Sequence, residues 1–262
     1  FYRARSHQVV PVKRCLIQPE AADKTAAAVG EWMRRYKVPA YDEATGKGLV
    51  RHVYVRVNRK GESLCCVVIN GRQAPREPEL AAYVCATVPH TAGVLVNSNT
   101  KRGNVILGEK YRTLWGRDYL MDTLCGLEFK LSVPSFYQVN RDQAEALYGK
   151  ALDYAGLTGR ETVLDLYCGI GTITLCLAKR AGRVIGAEIV PAAIRDAKEN
   201  AARNHIENAE FFCGDAAETA ARLEAEGLRP DVITVDPPRK GLAPEVIGSI
   251  AAMGPERVVY GT

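Results

Sequence analysis

The chain has 262 residues, of which 47% are hydrophobic and 25% charged, and its formal net charge is +5. This is ordinary globular usage and excludes disordered, collagen-like and low-complexity classes. No uninterrupted apolar run approaches the roughly 18 residues that a membrane helix needs, and the length predicts one or two domains.

The charge is uneven. Residues 1–128 hold 20 Lys and Arg against 12 Asp and Glu, a formal +8, whereas residues 129–262 hold 15 against 18, a formal −3. A basic half joined to a slightly acidic half predicts division of labour: phosphates held by the first, a cofactor by the second. Lys101, Arg102, Arg56, Arg59 and Lys60 are the candidates for phosphate contacts, set against the alternative of a merely solvated surface. The eight cysteines form no CxxC pair and no zinc or disulfide spacing. Several lie in apolar stretches such as Leu64-Cys65-Cys66-Val67, as small buried hydrophobes do, so a reducing, cytoplasmic compartment is expected. His7, His52, His90 and His205 share no site-like spacing and read as surface or structural residues. The sequence opens on Phe1 without a signal-peptide pattern and stops just after Val258-Val259-Tyr260, which reads as mid-strand. Both ends of the natural protein are therefore expected to lie outside it.

In chain order, residues 18–37 read as an amphipathic helix with Ala22, Ala26, Val29, Met33 and Tyr36 on one face. Val53, Val55 and Val57 alternate with polar neighbours in a strand. Asn58-Arg59-Lys60-Gly61 turns it into a second strand at 63–69. Residues 77–87 read as a helix, and 93–97 with 104–108 as a further strand pair. Residues 1–128 thus form a small α+β central domain. In the second half Asn140 is placed to cap a helix with Gln143 three residues on, and Ala144, Leu147, Tyr148, Ala151 and Leu152 form its apolar face. Strands at 162–166, 183–188, 210–213, 231–235 and 257–260 then alternate with helices at 172–180, 191–204, 216–226 and 244–252. Such alternation predicts an α/β, doubly wound, mostly parallel sheet over 129–262, with its ligand site beyond the carboxyl ends of the strands.

The informative residues follow those strands. The first runs into Asp165-Leu166-Tyr167-Cys168-Gly169-Ile170-Gly171-Thr172, a loop whose Gly169 and Gly171 permit a tight turn and close ligand approach. The third glycine of a dinucleotide fingerprint is absent. The second strand ends at Glu188, where an acid accepts from ribose hydroxyls, and the third at Asp215, where one accepts from an adenine amino group. Together they describe a nucleoside clamp that fits NAD or S-adenosylmethionine. The fourth strand ends Asp236-Pro237-Pro238-Arg239-Lys240-Gly241. A dehydrogenase does not need this loop, whereas nucleic-acid methyltransferases commonly carry an Asp-Pro-Pro loop to hold the target base. Arg239, where enzymes acting on exocyclic amines usually have an aromatic residue, argues against amine methylation.

With Ser135-Phe136-Tyr137-Gln138-Val139-Asn140 added, these motifs closely resemble the RNA uracil-5-methyltransferases of the RumA/TrmA type, most of all Gram-positive members acting on 23S ribosomal RNA. The resemblance runs through nearly the whole sequence. It implies a Rossmann-like class I methyltransferase domain over 129–262 after the central domain, and methylation of uracil C5 to 5-methyluridine. Gln138, Tyr167, Gly169, Gly171, Thr172, Glu188, Asp215 and Asp236 would line the cofactor site. Phe136 would stack near the flipped base, and Asp236 would lie between methyl donor and uracil. The partner would be 23S rRNA, with no membrane and no obligate protein partner. The resemblance makes Cys15 the fourth ligand of a [4Fe–4S] cluster whose other three would precede Phe1. It puts the nucleophilic cysteine in a Ser-Cys-Asn-Pro loop after Tyr260 and the catalytic Glu further on, so the chain ending at Thr262 would lack both. Cys168 is the one stand-in by position, although its flank fits packing. The rival readings are a non-catalytic RNA-binding module retaining this fold and, less favoured, an NAD-dependent oxidoreductase.

Overall fold

The computed structural model describes residues 3–6, 9–12 and 14–261. His7 lies outside them. The chain forms two compact units, one built on residues up to Leu120 together with Ser132–Pro134, the other on Met121–Leu131 and the chain from Ser135 onward. The division expected at 128/129 falls inside a strand of the second unit.

In the first unit, helix α1 (Glu20–Arg35) precedes β1 (Val50–Val57) and β2 (Ser63–Ile69), antiparallel partners joined at the Asn58–Gly61 turn. Helix α2 (Glu77–Thr87) crosses over to β3 (Thr91–Ser98), parallel to β2, and β4 (Lys110–Gly116) closes the sheet antiparallel to β3. The two helices and one sheet face enclose a core of Val29, Trp32, Cys65, Val67, Ile69, Leu80, Val84, Val94 and Val96. Two expectations need correction. The buried face of α1 is Thr25, Ala28, Val29 and Trp32, and Ala26 is exposed. The helix is rotated because Trp32, its largest side chain, is fully buried and its indole N–H donates to the Arg76 carbonyl at 3.1 Å. Residues 104–108 form no strand, and β4 begins only at Lys110. The buried Asn99 amide donates to the carbonyls of Val105 and Ile106, and that of Asn97 to those of Gly108 and Lys110. These side chains take acceptors that a ladder would need.

The second unit opens with a hairpin, β5 (Tyr119–Leu124) and β6 (Leu127–Ser132), most of whose residues belong to it. Its turn is Cys125-Gly126, both at positive φ, as a two-residue hairpin loop requires. The amide and carbonyl of Glu128 bond to the Asn204 side chain, and the Lys130 amide donates to Asn200. Helix α3 (Arg141–Ala155) starts at Asn140, whose side chain accepts from the Gln143 amide at 3.3 Å as expected. Leu147, expected on its buried face, is exposed, and Ala155 is buried instead.

The βα alternation then follows: β7 (Thr162–Leu166), α4 (Thr172–Ala178), β8 (Arg183–Glu188), α5 (Pro191–Arg203), β9 (Ala209–Cys213), α6 (Ala216–Ala225), β10 (Val232–Val235), α7 (Pro244–Met253) and β11 (Arg257–Tyr260). The five strands are all parallel, in the order β11-β10-β7-β8-β9. Val163, Val184, Val232 and Val259 pack toward α3 and α4. Leu164, Leu166, Ile185, Ile233 and Val235 pack toward α6 and α7. Alternate side chains thus feed two helical layers, which is why these strands read as continuous apolar runs. The order steps outward from β7 to β8 on one side and to β10 on the other, so the loops after these strands converge at one edge.

The first unit depends on Trp32. Trp32→Ala is expected to destabilise it by about 3–5 kcal/mol, the range for a fully buried aromatic. Urea unfolding followed by circular dichroism checks this, and a change below 1 kcal/mol would contradict the packing described.

Candidate functional site

The site is built where the backbone leaves β7. Tyr167, Gly169 and Gly171 all have positive φ, at 69°, 56° and 82°. Left-handed backbone in a bulky residue such as Tyr167 is uncommon and persists only where surroundings enforce it. Here the Cys168 amide donates to the Ala187 carbonyl at 2.9 Å, and the Gly171 amide donates to the Cys168 carbonyl at 2.9 Å. Gly171 and Gly186 both make room for Phe211. A Cβ at Gly171 would lie 3.2 Å from its ring, and one at Gly186 2.9 Å from the ring and 3.0 Å from the Cys168 sulfur. Gly169 differs, because a Cβ there would meet nothing within 4 Å. Its backbone faces open space, the condition for close approach of a ligand.

Glu188, at the end of β8, ties this loop to its neighbour. One carboxylate oxygen accepts from the Gly169 amide at 3.1 Å and the other from the Val190 amide at 2.9 Å. A carboxylate has about four lone-pair sites, so two acceptor positions remain beyond these bonds. Asp215 caps α6, accepting from the amides of Ala217 and Glu218 through one oxygen. Asp236 is half-buried after β10, and burial raises its carboxyl above the ordinary range. Tyr167 is raised by burial and then by Asp215 and Tyr260. Thr172 opens α4, with its hydroxyl 3.0 Å from the Tyr148 hydroxyl. Phe136 and Gln138 sit in the irregular segment between β6 and α3, Phe136 72% exposed and Gln138 half-buried. The loop from β10 folds back through the Gly241 amide to the Pro238 carbonyl at 2.8 Å, leaving Arg239 exposed.

Cys168 is buried, and burial pushes its thiol well above the ordinary range, the condition of an inert packing thiol. The amide of Cys15 donates to Asp23 at 3.3 Å. Among the described residues no group of three or more His, Cys, Asp or Glu could hold a metal ion. A [4Fe–4S] cluster needs four ligands, and the described residues around Cys15 do not fit one. No helix among the described residues is long and apolar enough to cross a membrane.

Two groups of the site are not foreseen from the sequence. Asp165 is fully buried beneath the loop and accepts from the hydroxyls of Thr174, on α4, and Thr234, on β10. Burial pushes its carboxyl up to about 7 despite these bonds, and the charges of Asp236 and Glu188 add to the rise. Tyr148, from α3, is raised to about 12 by burial and also feels Asp236 and Asp165. A small pocket of about 70 Å³ between α3 and the ends of β10 and β11 is lined by Leu147, Tyr148, Asp165, Thr234, Asp236 and Tyr260, among others. A buried acid inside a strand is a signal, but its partners lie 9 and 69 residues away.

Comparison with known proteins agrees with this architecture. Residues 157–251 match the family model of a methyltransferase domain. A protein of Halalkalibacterium halodurans named an uncharacterized RNA methyltransferase is 44% identical over 99% of this chain and 57% of its own length. A protein of the same description from Caldanaerobacter subterraneus subsp. tengcongensis is 44% identical over 99% of this chain and 58% of its own. The chain therefore spans somewhat more than half the length of these curated relatives. The crystal structure of Pyrococcus abyssi tRNA (uracil-54, C5)-methyltransferase in complex with S-adenosyl-L-homocysteine superposes with a TM-score of 0.80 at 23% identity. It covers 99% of this chain and 62% of the other. The second unit has the Rossmann-like fold of a methyltransferase domain.

The raised carboxyl of Asp165 predicts a pH dependence. An acid whose folded pKa exceeds its unfolded one stabilises the fold at low pH, and that contribution is lost as pH rises through the folded pKa. Between about pH 4, the ordinary carboxylate range, and pH 7, the native chain should lose stability relative to Asp165→Asn. Thermal unfolding of both at pH 5 and pH 8 checks this. A stability difference that stays constant, or moves the other way, would contradict it.

Proposed function

We propose that this chain is the cofactor-binding part of an S-adenosylmethionine-dependent RNA methyltransferase, and that its target is C5 of uracil in 23S ribosomal RNA. The observation that carries the reading is the pairing of Glu188 with the Gly169 amide, next to the Asp236-Pro237-Pro238-Arg239 loop on the adjoining side of β7. The residues present fit the cofactor: an open backbone face at Gly169, unfilled acceptor positions on Glu188, and a second carboxylate at Asp215.

In this reading Glu188 accepts from both ribose hydroxyls and holds the loop that passes under the nucleoside. Charge-assisted bonds of this kind contribute about 1.5–3 kcal/mol each. Asp215 keeps one oxygen on its helix cap and turns the other toward an adenine amino group. Tyr167, Gly169, Gly171 and Thr172 shape the floor, and Gln138 closes the far end. The bound cofactor supplies an electrophilic methyl group on a sulfonium. Asp236 stands between that group and the target base. Its proline-stiffened loop holds the backbone edge that the base meets, and Phe136 offers a ring for the flipped uracil, worth about 1–3 kcal/mol of stacking.

Uracil C5 is a weak nucleophile. The resemblance supplies a cysteine thiolate, in a loop after β11, that would add to C6 and make C5 enolate-like; C5 would then take the methyl group, and a general base would remove the C5 proton as the C6–sulfur bond breaks and frees the thiolate. Cys168, whose thiol burial pushes well above the ordinary range, lacks that character.

Titration calorimetry with S-adenosylhomocysteine and with NAD tests the cofactor class, and the first should bind while the second does not. A polypeptide ending at Thr262 should bind S-adenosylhomocysteine yet form no 5-methyluridine from labelled S-adenosylmethionine and unmodified rRNA. The same polypeptide continued through a Ser-Cys-Asn-Pro loop and the downstream Glu should form it. Multiple turnovers by the first, or an amine-methylated base from the second, would overturn the proposed chemistry.

A further inference from the structure

The first unit contains a groove that the cofactor site does not use. It is open, has a cavity volume of about 970 Å³, and is formed by the end of β2, the end of β3 and the connection into β4. This is at the upper end of the 300–1,000 Å³ typical of a small-ligand pocket. Its lining includes Arg72, Lys101, Arg102, Lys110 and Arg112 against one carboxylate, that of Glu109.

Two of these cations are already occupied. Lys101 pairs with Glu109 at 2.8 Å, and Arg112 forks onto the buried carboxylate of Glu77. Arg72, Arg102 and Lys110 are exposed and form no ion pair among the described residues. Three positive side chains along one open groove, none of them in an ion pair among the described residues, present a positive field to an extended polyanion.

The wall that carries them is preorganised. Arg51 donates to the carbonyls of Asn99 and Lys101 at 2.8 and 2.7 Å, and its guanidinium lies 4.6 Å from the centre of the Tyr41 ring. Asn97 and Asn99, both buried, hold the returning strand through five hydrogen bonds to backbone groups between Val105 and Lys110. A loop fixed in this way loses little further entropy when a ligand arrives. Exposed Val105 lines the same groove and offers apolar surface to a base.

We propose that this groove is a docking site for a single-stranded segment of RNA, held through its phosphates by Arg72, Arg102 and Lys110. The choice of RNA rests on the function proposed for the second unit. The groove itself stands on its charge, its openness and the rigidity of its wall.

The test uses the 262-residue chain and a fluorescein-labelled, unstructured 20-nucleotide RNA, read by anisotropy from 50 to 300 mM salt. The comparison is the triple variant Arg72→Ala, Arg102→Ala, Lys110→Ala, which leaves the paired Lys101 and Arg112 intact. Loss of three phosphate contacts should lower the slope of log affinity against log salt by about 2, at roughly 0.7 per contact on single strands. It should weaken binding about 100-fold at 0.1 M salt. S-adenosylhomocysteine affinity, measured on the same samples, should be unchanged, which also reports that the variant is folded. Equal RNA affinity and slope in both proteins would overturn the groove. So would capture of phosphatidylserine vesicles by the native chain without RNA binding. If RNA binding falls as expected but neither protein binds S-adenosylhomocysteine, the groove stands and the proposed cofactor function fails, with folding then read from circular dichroism.

Discussion

The bond from the Gly169 amide to the Glu188 carboxylate joins the two parts of the site that must act together. On one side is a loop with three residues in left-handed backbone, one of them a tyrosine. On the other is a strand end that presents a carboxylate beyond the sheet. Without an acceptor at that point, the Gly169 amide would face the ligand space unpaired, and the loop would lose the tie that sets its height above β8. The carboxylate orients the loop and keeps acceptor capacity for a ligand.

A second constraint lies below the first. Asp165 collects hydroxyls from α4 and β10, so three elements meet at one buried carboxyl. Burial pushes its pKa up to about 7, and the nearby Glu188 and Asp236 charges push the same way. The site thus gathers acidic groups whose mutual repulsion is relieved by protonation or by hydrogen bonds. Such an arrangement costs stability and is common where a ligand supplies compensating charge.

Legibility in the sequence follows the physics of each segment. The parallel strands of the second half were readable because both faces are buried, giving apolar runs between Gly and Asp punctuation. Glu188, Asp215 and Asp236 were readable because each stands at such a strand end. Strand β4 was not, because Lys110-Tyr111-Arg112-Thr113 lies at the edge of its sheet with an exposed charged face. The run Val105-Ile106-Leu107 reads as a strand by propensity, yet Asn97 and Asn99 capture its carbonyls. The hairpin β5–β6 carries a local signal in Cys125-Gly126, set between alternating Leu120, Asp122, Leu124 and Leu127, Phe129, Leu131. The roles of Asp165 and Tyr148 depend on partners far away in sequence, so only the folded chain reveals them.

The proposed function makes Glu188 the acceptor on which nucleoside binding depends. Its most direct test is the affinity for S-adenosylhomocysteine of the native chain, Glu188→Gln and Glu188→Ala, measured by calorimetry with thermal unfolding as a check on folding. Glu188→Ala should weaken binding about 10- to 100-fold, the equivalent of about 1.5–3 kcal/mol, with the glutamine variant in between. Equal affinity in all three, with the fold intact, would contradict it.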